Sequence, residues 1–237
     1  MLPAIWKDGL AFILGGGPSL SNVNLETIKN ERILAVNNAY GYPVPGKGIK
    51  SGSGWLENTE KYIPYDWVDA VWFGDRSWFD RHHIFLKSFK GIIATCTPSL
   101  ADKKINGLIQ YKRSTTKQLG IDSTPGCVAW NKNSGGCAIN FAYHLGVKVI
   151  VLLGFDMKRT ADKTNWHNDH PSPPNKNPYY RFLRCFPIIK RDADALGIRI
   201  INCTEGSAIT DFESMKLEEL LEWRKGNMPQ LKTMKNF

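Results

Sequence analysis

The sequence predicts an α/β fold in which a mostly parallel sheet is flanked by helices. Short apolar runs typical of buried strands alternate with segments whose apolar residues recur at helical spacing. Two of these runs stand out: residues 11–14 are apolar throughout, and residues 148–153 are apolar after Lys148, as strands buried on both faces are. A glycine-rich turn follows the first run, and a glycine-rich helix start precedes the second. Together these features favour a Rossmann-like arrangement with a long loop or lid.

The composition fits one globular domain. A chain of 237 residues, 42% apolar and 22% charged, can bury a sizeable core. We expect a nucleotide-binding catalytic domain over residues 1–226 and a basic tail over residues 227–237. The N-terminus does not resemble a signal peptide, and no apolar run approaches the roughly 20 residues of a membrane span, so we expect a cytoplasmic protein. The five cysteines lack C-x-x-C spacing, which favours reduced thiols.

The net charge of +9 favours anionic partners, because the chain carries 31 basic and 22 acidic side chains. Phosphorylated small molecules and nucleic acids both fit this charge. The lysines and arginines are spread along the chain, and a solvated basic surface explains them as well as a nucleic-acid groove does. Both interpretations stay open.

The first glycine-rich turn follows the strand predicted at residues 11–14 and predicts the start of a helix. It consists of Gly15, Gly16, Gly17, Pro18 and Ser19. Glycines let the backbone approach a ligand closely, and a helix N-terminus offers unpaired N–H groups to a phosphate. The turn is therefore a candidate nucleotide-binding or phosphate-binding element, although a tightly wound α/β fold also needs such turns. It is not a P-loop, because no Gly-Lys-Ser/Thr follows.

Polar residues follow the next two predicted strands. Residues 32–36 end at Asn37 and Asn38, and residues 69–73 end at Gly74 and Asp75. Ligands of open α/β sheets bind at the carboxyl ends of the strands, so the two asparagines are placed to bind a base, a ribose or a sugar. They can equally cap the turn that follows.

The second glycine-rich segment is Ser134, Gly135 and Gly136. It predicts the start of a helix capped by Ser134 and ended by Gly146, followed by the strand at 148–153. That strand closes at Asp156. A carboxylate in this place can bind a hydroxyl or a cation in the active site, or cap the next turn.

Two long segments interrupt the α/β pattern. Residues 41–65 are rich in Gly, Pro and Ser, and residues 158–177 form a polar loop that carries His167 and His170. Imidazole titrates near neutral pH and can take a proton from an attacking hydroxyl. Metal binding and a solvated loop are the alternatives for this pair. A helix is predicted from residue 178 to the residue before Gly197.

In chain order these motifs resemble those of bacterial sialyltransferases that use CMP-sialic acid. The motifs are residues 15–20, Asn37 with Asn38, residues 133–136, residues 153–156, the histidine-bearing loop and residues 202–207. The same pattern resembles Maf-type flagellin glycosyltransferases, archaeal hydroxymethylpterin diphosphokinases and uncharacterised phage proteins.

The resemblance implies roles for particular residues. It implies a nucleotide site formed by Gly15, Gly17, Pro18, Ser19, Asn37 or Asn38, Ser134 and Gly135. It also implies that His167 or His170 deprotonates the acceptor hydroxyl, and that tyrosines assist the departing phosphate. The chain departs from the sialyltransferase pattern at Gly16 and at residues 74–76, where that family has asparagines. With those amides absent, Asp75 and Asp156 could instead hold Mg2+ in a diphosphokinase.

We therefore expect a glycosyltransferase that moves a sugar from a nucleotide-activated donor, CMP-linked by resemblance, to a hydroxyl-bearing acceptor. His170 or His167 is the expected base. The alternatives are a Mg2+-dependent diphosphokinase and a non-catalytic protein that binds nucleotides or nucleic acid. No cofactor is implied outside the diphosphokinase alternative.

Overall fold

The structure is a computed structural model that describes residues 3–44, 61–98, 100, 105–159, 165–167 and 178–227. The strands are β1 (Leu10–Leu14), β2 (Ile33–Val36), β3 (Gly41–Val44), β4 (Lys61–Pro64), β5 (Ala70–Phe73), β6 (Ile92–Thr95), β7 (Leu108–Gln110), β8 (Lys112–Arg113), β9 (Cys127–Val128), β10 (Val149–Leu153), β11 (Arg199–Asn202) and β12 (Glu213–Ser214). The α-helices are α1 (Arg76–Leu86), α2 (Ser134–His144), α3 (Tyr179–Leu183), α4 (Phe186–Ala195) and α5 (Leu217–Asn227).

Eight of the described strands form one parallel sheet in the order β12-β11-β10-β1-β2-β5-β6-β7. Strand β1 lies between β10 and β2, with Leu10 opposite Val149 and Phe12 opposite Ile33. The central strands are buried on both faces, which is why their sequences are continuously apolar. The predicted α/β class with a mostly parallel sheet is confirmed.

Helices cover both faces of this sheet. Neighbouring residues of β5 point to opposite sides, so Trp72 stacks on Phe141 of α2 while Phe73 stacks on Phe79 of α1. Helix α4 packs on the α2 side, and α5 packs on the α1 side. Helices α1 and α2 therefore lie on opposite faces of the sheet.

The first crossover differs from the prediction. The glycine turn opens into a 3-10 helix at Pro18–Asn22, not into an α-helix, and a second 3-10 helix follows at Leu25–Thr27. Ser21 Oγ donates to Pro18 O at 2.8 Å, and Asn24 Oδ1 accepts from Glu26 N at 3.3 Å. Such short-range bonds compete with α-helical ones, which accounts for the short helices.

The cap of α2 is also corrected. Asn133, not Ser134, is the N-cap, since Asn133 Oδ1 accepts from Gly136 N at 2.6 Å. Ser134 is the first helical residue. Gly146 follows the helix with φ +88, a conformation that favours glycine, so the predicted stop is confirmed.

Sequence patterns missed three further features. Strands β3 and β4 form an antiparallel hairpin at the two ends of the predicted loop at 41–65, whose middle lies outside the described residues. The helix predicted after residue 178 is two helices, because Pro187 lies in the first turn of α4 and lacks an N–H. Strand β12 was not predicted. In the described ranges, no helix is long and apolar enough to cross a membrane.

Candidate functional site

A cleft of about 720 Å³ lies at the carboxyl edge of the sheet. Ten of the predicted site residues line it: Gly15, Gly16, Gly17, Asn37, Asn38, Asp75, Ser134, Gly135, Asp156 and His167. Four others, Pro18, Ser19, Gly74 and Gly136, do not line it. His170 lies outside the described residues. The two glycine-rich segments, far apart in sequence, thus share one cleft.

The glycine turn is fixed to the end of β10. Gly15 N donates to Leu153 O at 2.7 Å, and Gly17 N donates to Gly154 O at 2.8 Å. Gly16 N has no hydrogen-bond partner among the residues that the structure describes. The turn can therefore offer one backbone amide, that of Gly16, to a ligand, whereas its sequence of three glycines suggests more.

Asp156 holds this turn in place. Its Oδ2 accepts from Ser19 Oγ at 2.7 Å and its Oδ1 accepts from Ser19 N at 3.1 Å. The carboxylate is 3% exposed. A Cβ at Gly17 would overlap Asp156 Oδ2, which explains the glycine at this position. Asp156 and Ser19 thus form an internal brace of the cleft.

The magnesium alternative depends on Asp75 and Asp156, which both line the cleft. Both oxygens of Asp156 already accept hydrogen bonds from Ser19. Across the described part of the chain, no group of three or more His, Cys, Asp or Glu side chains could hold a metal ion. Mg2+ is commonly held by one or two carboxylates together with waters and substrate phosphates, so the magnesium alternative requires Asp156 to exchange a hydrogen bond from Ser19 for the metal.

The N-terminus of α2 forms one wall of the cleft. The first N–H groups of a helix have no partner within it, so the amides of Ser134 and Gly135 face the helix end. A Cβ at Gly135 would lie 2.8 Å from the ring of Phe155, so only glycine lets the helix approach β10 this closely. The positive dipole end and these amides favour an anion.

Strained backbone adjoins this helix end. Asn131 and Lys132 both have φ +55, although neither is glycine. Asn131 is fully buried, and its side chain accepts from Gly120 N at 2.7 Å and donates to Gly120 O at 2.9 Å and Gly136 O at 3.1 Å. These bonds hold the turn and present exposed Lys132 to the cleft. Strain held by its surroundings in this way is typical of functional sites.

Asn38 links the opposite wall. Its Oδ1 accepts from Trp78 Nε1 at 2.6 Å, and its Nδ2 donates to Tyr62 Oη at 2.7 Å. His167 Nδ1 lies 3.5 Å from the same Nδ2. Asn38 is 2% exposed, so its amide positions Trp78 and His167. Trp166 N also donates to Gly16 O at 3.1 Å, which attaches the segment 165–167 to the glycine turn.

Asn37 has a different environment from Asn38. It has φ +52, and its buried Oδ1 has no hydrogen-bond partner among the described residues. A buried polar atom of this kind costs free energy unless a ligand satisfies it. Of the two asparagines, Asn37 is therefore the one with an atom to offer a ligand.

The cleft carries excess positive charge. Its basic side chains are Arg81, Lys132, Lys158, Arg159 and Arg181, and its acidic ones are Asp75 and Asp156. Burial raises the pKa of the Tyr179 phenol, and the nearby charge of Asp156 raises it further. Tyr179 lines the cleft and so remains a hydrogen-bond donor at neutral pH.

Comparison with known proteins concerns the fold. No family model matches the sequence, and no curated protein matches it. Among solved structures, the sialyltransferase CstII from Campylobacter jejuni, in complex with a substrate analogue, cytidine-5'-monophosphate, matches with a TM-score of 0.52 and 13% identity. The match covers 96% of this chain and 88% of that chain. The fold is sialyltransferase-like. The Maf-type, diphosphokinase and phage resemblances stay predictions.

Sequence reasoning missed several residues of the cleft. Arg81 lies one helical turn after Ser77, which follows the turn at the end of β5. A basic residue four positions after Ser77 was therefore the available sequence signal that Arg81 lines the cleft. Lys132 lies two residues before the glycine-rich helix, so a basic residue beside the helix start was a sequence signal that it lines the cleft. Trp130, which Arg113 covers at 3.6 Å from the ring centroid, gave no sequence signal.

Proposed function

We propose that the chain is a glycosyltransferase that moves a sugar from a nucleotide-activated donor to a hydroxyl-bearing acceptor. One observation carries the proposal: the amides of Gly16, Ser134 and Gly135 line the same cleft as Lys132. Backbone amides at a helix N-terminus and a nearby ammonium suit the phosphate of a nucleotide. The likeness in fold to a sialyltransferase bound to cytidine-5'-monophosphate supports a CMP-linked donor.

The proposed reaction is a displacement at the anomeric carbon. The acceptor oxygen forms a bond to that carbon while the bond to the nucleotide phosphate breaks, and the phosphate leaves with the electron pair. The acceptor proton passes to a histidine. His167 suits this role because its Nδ1 meets Asn38 only at 3.5 Å, a long contact that a substrate hydroxyl can replace. His170 is the other candidate from the sequence.

Tyr179 supports the departure of the nucleotide in this proposal. Its raised pKa keeps the phenol protonated, so its hydroxyl can donate to a phosphate oxygen as negative charge develops there. Asp156, expected from the sequence to act in the chemistry, instead supports the glycine turn through Ser19.

A thermal-shift panel tests the ligand class. We expect CMP to raise the Tm without Mg2+, and UDP, GDP and ATP to raise it less, since stabilisation follows affinity for the folded state. A shift by ATP that requires Mg2+ would instead support the diphosphokinase. If no nucleotide raises the Tm and affinity for duplex DNA falls steeply with salt, the nucleic-acid-binding alternative replaces the proposal.

Single histidine variants test the base. His167→Ala and His170→Ala are compared with His83→Ala, whose imidazole contacts Asp80 O at 3.1 Å on α1 and does not line the cleft. Loss of a base should lower turnover at least about 100-fold, with nucleotide-induced stabilisation retained. If both loop variants turn over as fast as His83→Ala, neither histidine is the base.

A further inference from the structure

The cleft has two chemically different halves because it crosses the edge of the sheet. Helices α1 and α2 lie on opposite faces of the sheet, and their N-termini approach each other at its edge, where a Cβ at Gly74 would lie 3.1 Å from Ser134 Oγ. The α2 half offers the amides of Ser134 and Gly135 together with Lys132. The α1 half offers Ser77 and Arg81, and the carboxylate of Asp75 at the N-cap of α1 also lines the cleft.

His167 belongs to the α1 half. It meets Asn38, whose amide is bonded to Trp78 of α1, and Trp166 packs on the same side of the sheet. Arg81 is four residues after Ser77 and three after Trp78, so its side chain neighbours both on the helix surface, and all three line the cleft. The histidine and the arginine therefore flank the same part of the cleft.

Arg81 lacks the partners that a partly buried cation normally has. It makes no hydrogen bond, ion pair or aromatic stack with any residue that the structure describes, and its Nε is buried without a partner. Arg76, on the same helix, pairs with Asp80 at 2.9 Å. Because helical side chains lean towards the N-terminus, Arg81 leans towards the positive end of the α1 dipole. A bound anion would compensate both the missing partners of the guanidinium and its repulsion from the positive end of the helix dipole.

Asn37 adds a second unsatisfied atom between the two halves. Strand β2 lies between β1 and β5, so its end separates the glycine turn from the start of α1. The buried Oδ1 of Asn37 accepts no hydrogen bond from the part of the chain that the structure describes, so it suits a donor such as a hydroxyl. A ligand that bears both a hydroxyl and an anionic group satisfies Asn37 and Arg81 together.

We propose that the α1 half of the cleft binds the acceptor, and that the acceptor carries a phosphate or carboxylate held by Arg81. This inference rests on the proposed function, since it assigns the second substrate of the same reaction. The acceptor hydroxyl then lies on the side of the cleft that carries His167, and the nucleotide occupies the α2 half.

The test measures a second anion on the nucleotide-bound protein. Phenyl phosphate, benzoate and uncharged benzyl alcohol are titrated calorimetrically into protein saturated with CMP. The wild type should bind phenyl phosphate or benzoate, and the better of the two distinguishes a phosphate from a carboxylate. Arg81→Gln should weaken that binding about tenfold or more while CMP binding stays within about twofold. Arg76→Gln is the matched control and should change neither.

Stability separates a binding role from a structural one. Removing an unpartnered guanidinium should leave the Tm of Arg81→Gln equal to or above that of the wild type, and a lower Tm would indicate a structural role. The inference is overturned if the probes displace CMP, if neither anion binds, if benzyl alcohol binds as well as the anions, or if Arg81→Gln and Arg76→Gln lose binding equally. If CMP does not bind at all, the proposed function fails, and the anion site is tested on ligand-free protein with the same variants and the same outcomes.

Discussion

Replacing the glycines of the turn one at a time by alanine should give unequal losses of stability. A Cβ at Gly17 would overlap the Asp156 carboxylate and lie 2.6 Å from Gly154 O. Asp156 must then turn away and lose its hydrogen bonds from Ser19. A Cβ at Gly16 would meet only Asn165 Oδ1, at 3.3 Å. The neighbouring positions thus differ in what surrounds them.

The structure sets the size of each effect. A hydrogen bond to a charged group contributes about 1.5–3 kcal/mol, and overpacking costs about 1–3 kcal/mol. Since one movement relieves part of both, we expect Gly17→Ala to lower the free energy of unfolding by about 3–5 kcal/mol, or the Tm by about 10 °C. Gly15→Ala, whose Cβ would overlap the Gly154 carbonyl, should cost at least as much. Gly16→Ala should cost less than about 1 kcal/mol.

Urea unfolding followed by circular dichroism measures these values, with unchanged m-values as the check that the transitions are comparable. Ser19→Ala in the Gly17→Ala background is the control for the stated cause. If Gly17→Ala acts through the Asp156 brace, Ser19→Ala should cost much less there than in the wild type. Equal losses for Gly16→Ala and Gly17→Ala would refute the reasoning.

Three further predictions concern parts of the fold away from the cleft. Burial opposes the ionisation of Asp192, but hydrogen bonds, first from Lys117, outweigh it and hold its pKa below the ordinary value. The stabilisation by ionised Asp192 is therefore present above the unfolded-state pKa of about 3.9 and is lost as the pH falls through the pKa of the folded state. Asp192→Asn should lower the free energy of unfolding by about 2 kcal/mol at pH 7, and urea titrations should show a smaller loss at pH 3. Arg224→Ala removes the partner that Glu31 meets at 2.8 Å and leaves this largely buried carboxylate unpaired, so it should lower the free energy of unfolding by about 3–5 kcal/mol. The double variant Glu31→Gln with Arg224→Met should recover most of that loss. A double variant as unstable as Arg224→Ala would contradict this. Burial raises the pKa of Cys185 to about 12, so mass spectrometry after iodoacetamide treatment of the folded protein at pH 8 should find it unmodified, and rapid labelling would contradict the packing.

The sheet could be predicted because strands that are buried on both faces have apolar residues at every position. Residues 11–14 and 149–153 are apolar throughout, which only strands covered on both faces require, and the structure pairs them in parallel within β1 and β10. The hairpin of β3 and β4 escaped prediction because Gly41, Pro43 and Pro64 mask the strand pattern.

Part of the candidate site could also be predicted from the sequence. The turns after β1, β2, β5 and β10 meet at one edge because the strands are parallel, and the predicted residues Gly16, Asn37 and Ser134 line one cleft there. The separate roles of Asn37 and Asn38 could not be predicted. They depend on Trp78 and Tyr62, which reach Asn38 from other elements.

Other features of the site have no local signal. The left-handed backbone of Lys132 depends on hydrogen bonds from Asn131 to Gly120, eleven residues away in sequence. The lack of partners around Arg81 is a property of its surroundings, so no motif reports it. Both became visible only once the elements were packed.

The hydrogen bond from Trp166 N to Gly16 O has a kinetic consequence. In the proposed reaction, the backbone that meets the donor nucleotide also anchors residues 165–167, which include His167, so filling the donor subsite should reshape the acceptor subsite. Initial-rate measurements with both substrates varied should show a compulsory order, donor before acceptor, with the nucleotide product leaving last. A random order would mean that the two subsites fill independently despite this shared anchor.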